Sequence, residues 1–337
     1  MPLARSFAAA LLASACLATT AQAQPAAREP SGCVLEDGAA AWIQGASDSW
    51  TETWRTDLGR GGRGGDRSDV LPWVIFFDTS CIWQINARGT ASPLTGVPHQ
   101  GQITVPDGST IDATVTSFAA TYGADDRPFL VMALPAVWRQ EPRHAANPDL
   151  ERLMRSVFVH EMTHTAQGAG AGGRLRELEQ RSPLPADLTD DIIQQRFSEV
   201  PGFREAYENE RDLLFRAAAE TDAARRRALA TEALDAMTAR RARYFSGANA
   251  PFADLEDLFL NMEGVANWAA YRTALRELAS PADAVIFIRR ARSWSQDEGL
   301  ALFLVIDSLL PGWQQQVFLD KPASVMNLLR QATHPIG

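Results

Sequence analysis

The chain has 337 residues, 46% hydrophobic and 22% charged, which is enough for one large or two small domains with a packed core. Its formal charge of −9 argues against a nucleic-acid binder, because an acidic surface repels the phosphate backbone. Past the N-terminus no segment offers the ~20 uninterrupted apolar residues of a membrane span; residues 300–310 are too few and include Asp307.

The N-terminus predicts an export signal over residues 1–23. Arg5 supplies a short positive region, residues 7–17 an apolar one, and Ala21-Gln22-Ala23 a small-x-small cleavage site. Removal of Arg5 takes the charge from −9 to −10. A lipoprotein anchor at Cys16 is the weaker alternative, since Ala13 stands where a large aliphatic residue is usual. The two remaining cysteines, Cys33 and Cys81, predict a disulfide in an oxidising compartment, periplasmic or extracellular. Residues 24–69 read as an irregular lead-in, with a glycine-rich loop at 59–65.

Residues 70–146 read as a β-rich subdomain. An apolar run at 70–77 and residues 81–87 predict strands, and 103–111 a hairpin turning at Asp107-Gly108, with 114–118 extending its second arm. A further strand at 129–134 ends at Pro135, which favours an edge position. From residue 147 to the C-terminus the pattern is helical. Asn147-Pro148-Asp149 signals the start of a helix over 148–167, and the glycines from 168 onward predict its end. Helices follow at 187–198, 203–220, 221–244, 252–278, 282–293, 297–310 and 324–331. The expected class is α+β: a small, mostly antiparallel sheet followed by a helical body at 147–337.

The chemistry sits at His160-Glu161-Met162-Thr163-His164. Leu150, Leu153, Met154, Val157, Phe158 and Met162 form a buried stripe on the predicted helix. Two histidines four apart lie one turn above each other on such a helix, so both imidazoles reach one metal ion. Glu161 between them is placed to act on a metal-bound water. A catalytic zinc site needs a third protein ligand and one open position. His99, His144 and His334 lie in loops or the tail and are poor candidates. Glu263 is better: it stands in Asn261-Met262-Glu263-Gly264-Val265-Ala266, where a lone carboxylate is costly without a cation. Gly264 and Ala266 would also allow close approach to the His160 helix. Two rivals stay open: Glu298, in a second Glu-Gly-x-Ala stretch, and Glu208, beside Glu210.

With these residues the chain resembles the gluzincin group of zincin metallopeptidases, which combine His-Glu-x-x-His with a glutamate on a following helix. The resemblance covers roughly residues 129–271 and is specific only at the two short motifs. It implies one Zn2+ per chain on His160, His164 and Glu263, with Glu161 as general base. It implies that residues 129–134 are the edge strand bordering a cleft, where a peptide adds as an extra strand. It also implies an oxyanion donor, for which Tyr271 and Tyr244 are preferred over Tyr207 and His99. Asn267 stands one turn after Glu263, where several relatives carry an acid that orients a ligand histidine. The helical insertion between the motifs, 168–251, departs from simpler members, its helices 203–220 and 221–244 forming an antiparallel pair.

The expected function is therefore an exported zinc metallopeptidase acting on peptide or protein substrates. One alternative is a zincin-like zinc-binding or regulatory protein without turnover, against which the intact Glu161 argues. Another is a structural helical domain whose histidines bind nothing.

Overall fold

The computed structural model describes residues 32–59, 72–86, 96–123 and 126–334. The expected export signal, the Cys16 alternative and nearly all of the glycine-rich 59–65 segment lie outside them. The class is α+β, with a small sheet first and helices after it. The chain divides into two compact units, Met1–Asp48 with Asp66–Thr165 and Ser49–Gly65 with Ala166–Gly337.

The first unit opens with α1 (Asp37–Thr53), whose last residues are counted with the second unit. This corrects the irregular lead-in. Trp42, Ile43 and Ala46 fall on one face and are buried, so a hydrophobic stripe exists that the surrounding alanines and glycines obscure. The strands are β1 (Trp73–Phe77), β2 (Cys81–Asn86), β3 (Gly96–Pro98), β4 (Gln102–Thr104), β5 (Thr110–Asp112), β6 (Ser117–Tyr122) and β7 (Arg127–Ala133). Five of them form a sheet in the order β3-β2-β1-β7-β6, parallel only between β1 and β7. The hairpin predicted at Asp107-Gly108 is β4–β5, with Gly108 at φ +86°, where an L side chain would be strained. Residues 114–118 do not extend it: after bends at 113–115 the chain enters β6, in the other sheet.

The edge-strand expectation for 129–134 is also overturned. β7 is interior, between β1 and β6, and its last five residues are buried. Pro135 lies beyond the ladder, in the first turn of α2 (Pro135–Trp138), where its missing N–H costs nothing. The edge is β6. Cys33 and Cys81 are joined by a disulfide, as predicted. After α3 (Pro142–Ala145) comes α4 (Leu150–Arg181), which carries the histidines. Phe158 of α4 stacks on Phe76 of β1 at 5.8 Å, Phe76 meets Trp42 edge-on, and Trp42 Nε1 donates to the Glu151 carbonyl. Each such buried aromatic contributes roughly 1.5–3 kcal/mol, and together they fix the sheet side of α4.

α4 does not stop at Gln167 but continues unbroken through the glycines. A glycine inside a helix costs about 1 kcal/mol relative to alanine. That cost is offset by close packing within the second unit: a Cβ on Gly170 would collide with the Leu319 carbonyl and lie 3.3 Å from Pro322. The glycines make room for a neighbouring backbone rather than ending the helix.

The second unit contains a π-helical turn (Trp54–Leu58), then α5 (Ile192–Phe197), α6 (Phe203–Ala219), α7 (Ala223–Tyr244), α8 (Pro251–Leu275), α9 (Pro281–Ile288), α10 (Trp294–Leu309), α11 (Gln314–Val317) and α12 (Val325–Thr333). α6 and α7 form a helical hairpin across a short turn, and Asp222 caps α7 by accepting from the Arg225 N–H. Phe197, Phe203, Tyr207, Phe245 and Trp294 build an aromatic core with Leu255 and Phe259 of α8. Among the described residues no helix is long and apolar enough to cross a membrane.

Candidate metal centre

His160 and His164 stand one turn apart on α4, their rings edge-to-face with centroids 4.6 Å apart and their Nε2 atoms 3.0 Å apart. His160 is buried and so is Glu161, at 1% exposure. One donor atom each from His160, His164 and Glu263 lies within 4.8 Å of the others. Two imidazole nitrogens bound to one tetrahedral zinc at ~2.0–2.1 Å would sit roughly 3.3 Å apart. Both Nε2 atoms converge to about that separation, and a Glu263 carboxylate oxygen lies within 4.8 Å of a ring nitrogen of each, so the group could hold a metal ion. The donor set fits the ion.

The sequence missed Gln167. It lies three residues after His164 and seven after His160, on the same helical face, and its side-chain amide donates to the Met262 carbonyl at 3.3 Å. Met262 precedes Glu263, so this bond ties the turn of α4 just past the histidines to the turn of α8 that carries the carboxylate. The i, i+4, i+7 spacing is the signal that could have singled it out. Asp191 was also missed, and no local pattern marks it. Burial pushes its carboxyl above the ordinary range, hydroxyls of Ser293 and Ser295 pull it down, and the charge of Glu263 pushes it up.

The reason expected for Glu263 needs correction. Gly264 serves contact with α10, not with the histidine helix. A Cβ there would run into the Phe303 ring and lie 2.7 Å from the Gly299 carbonyl; one on Gly299 would lie 2.8 Å from the Gly264 nitrogen. The two Glu-Gly-x-Ala stretches thus cross each other at their glycines. Asn267 donates to the Glu263 main-chain carbonyl at 2.9 Å, so its amide is held within α8.

The rival carboxylates are elsewhere. Glu208 is exposed on α6. Glu298 is buried in a cluster with Glu210, Glu256 and Arg240. Arg240 donates through Nε and Nη2 to Glu210 and through Nη1 to Glu256 at 2.8 Å, while Arg241 donates to Glu256 at 2.7 Å. Burial, then the neighbouring Glu210 carboxylate, pushes Glu298 well above the usual carboxylate range. Burial likewise raises Glu210, whereas at Glu256 the two arginines outweigh burial and lower it. Glu210 and Glu298 are thus neighbouring buried carboxyl groups, and burial together with their mutual repulsion favours the protonated form of Glu298.

The oxyanion candidates have other partners. The Tyr244 hydroxyl donates to the Pro201 carbonyl at 3.1 Å, and the Tyr207 hydroxyl to the Trp294 carbonyl at 3.2 Å. Tyr271 is buried, which raises its hydroxyl above the usual range, with Arg272 and Asp307 as its charged neighbours. His99 is held by Asp78 and Gly101: Nδ1 accepts from the Gly101 N–H, so Nε2 carries the proton toward the Asp78 carbonyl. His144 packs against Trp138, and the Thr333 hydroxyl meets His334 Nδ1. Comparison of the chain with protein families, with curated proteins and with solved structures finds no match.

Proposed function

We propose that the protein is an exported zinc-dependent metallopeptidase whose ligands are His160, His164 and Glu263. The observation that carries this reading is the convergence of those three donors within 4.8 Å, beside a buried carboxylate at Glu161. Zinc, when bound, supplies a Lewis acid that polarises a carbonyl and acidifies water. The chain's own residues supply the rest. Glu161 shares the middle turns of α4 with the histidines and is not needed as a ligand, which leaves it to take the proton from an attacking water and pass it to the departing amine. The stacking of Phe158 on Phe76 and the bond from Gln167 to Met262 hold the helices that carry these groups. The Cys33–Cys81 disulfide supports an oxidising compartment.

The test is hydrolysis of a fluorogenic casein by the zinc-loaded protein, beside its Glu161→Gln variant. The variant should keep one zinc per chain and lose at least about a hundredfold in turnover, the low end for general-base catalysis. Undiminished turnover in the variant would assign the base elsewhere. Zinc binding without turnover in the wild type would favour a zincin-like binding protein instead.

A further inference from the structure

A cavity of about 300 Å³ lies in the second unit, between α4, α8 and the chain around the start of α12. That volume is at the lower end of ligand pockets. It begins beside the proposed metal centre, because its wall includes Gln167 and the adjoining turn of α8 at Asn261. We infer that this cavity receives an uncharged hydrogen-bonding side chain, a carboxamide in first place, from the peptide substrate. The word substrate rests on the hydrolase reading above; the binding preference does not.

The argument is a balance of charge and hydrogen bonds around the wall. Two charged side chains line the cavity, and each has its partner within the protein. Arg174 pairs with Asp254 at 2.8 Å. Asp257 pairs with Arg241 at 3.7 Å and accepts from the Ser324 hydroxyl at 2.8 Å and the Met326 N–H at 3.2 Å. A charged guest would therefore lose its water without gaining a counterion. Apart from Ser324, whose hydroxyl is engaged by Asp257, the remaining polar side chains of the wall are carboxamides: Gln167, Asn261 and Asn327. Asn261 is 6% exposed and held in place by donating to the Ala323 carbonyl at 2.7 Å. Carboxamides present donors and acceptors together, the pattern another carboxamide matches. An apolar guest would displace water from these groups and return no hydrogen bond.

Direct titration of the mature full-length protein with N-acetyl-glutamine amide, N-acetyl-leucine amide, N-acetyl-glutamate amide and N-acetyl-lysine amide, followed by NMR, tests this without catalysis. The glutamine compound should bind at least tenfold tighter than the other three. Asn261→Leu should erase that preference, and Asn327→Leu, at an exposed position tolerant of change, should reduce it. Equal binding of the leucine compound, or a preference unchanged in both variants, overturns the inference. Casein hydrolysis separates the two readings. If casein is not cut while the glutamine preference holds, the hydrolase reading falls and the cavity keeps its specificity. If casein is cut and no preference appears, the cavity inference alone is lost.

Discussion

Glu263 and Glu298 occupy the same local sequence, Glu-Gly-x-Ala, on two helices that cross at Gly264 and Gly299. Both are buried, at 3% and 1% exposure. Their partners differ completely. Glu263 faces two imidazoles; Glu298 faces two further carboxylates and one guanidinium. A buried carboxylate needs either a cation or a proton. Around Glu263 the protein offers a place for a metal ion. Around Glu298 it offers Arg240, which Glu210 and Glu256 already engage, so burial and the neighbouring carboxylates push Glu298 toward its protonated form. The comparison shows that the glycine in this stretch reports helix crossing, and that the chemistry of the glutamate is set by what the other helices bring to it.

Exchange of each glutamate for alanine is the largest test of that contrast. Glu263→Ala should lower zinc affinity by at least about a hundredfold, since loss of a mere supporting contact already costs 10–100-fold at metal sites. Glu298→Ala should keep one zinc per chain. Elemental analysis after dialysis against zinc and then a weak chelator reads both. Zinc retained by the first variant and lost by the second would reverse the assignment.

The crossing itself is tested by Gly264→Ala. The added methyl has no room between Phe303 and the Gly299 carbonyl, so the helices must part, at a cost of about 1–3 kcal/mol in urea denaturation. Gly38→Ala is the control. It lies in α1 with nothing within 4 Å, and should stabilise by up to about 1 kcal/mol from helix propensity. Equal effects of the two substitutions would remove the crossing from the explanation of this stretch.

Local signals recovered the local features. The histidine pair and Glu161 were legible because helical spacing alone places them, and the hairpin because Asp107-Gly108 dictates its turn. Glu263 was legible because its neighbours are too apolar to leave a carboxylate unanswered. Features decided at a distance were not. The glycines of α4 read as a helix end until the chain at Leu319 is seen lying on them. Pro135 read as an edge signal, yet it stands just outside a ladder that the sheet order makes central. Gly264 announced a close helix contact, but sequence does not say with which helix. The raised Glu298 carboxyl depends on three helices meeting, which no spacing within one helix reveals.

The smallest expected effect follows from the raised Glu298 carboxyl. Because the folded protein holds the Glu298 pKa above the unfolded value of ~4.3, this group's contribution to stability is fully present below that pH and is lost as pH rises through the folded pKa. Glu298→Gln removes this titration, because its amide stays neutral at every pH. Around it stand Arg240 and Glu210, joined by Glu256, and the Tyr207 hydroxyl, which burial and then the Glu298 charge raise well above its ordinary value. None of these is removed by the substitution. Unfolding free energy measured from pH 5 to 8 should therefore decline less steeply in the variant. The difference is at most the slope of one proton, about 1.4 kcal/mol per pH unit, and the variant should be the more stable form at the alkaline end. A residual slope should persist, because Asp191 and Glu210 are raised as well. Parallel curves for wild type and variant would mean that Glu298 is ionised in the folded protein. The two glutamates would then differ in partners but not in charge, and Arg240 would be the cation that answers all three carboxylates.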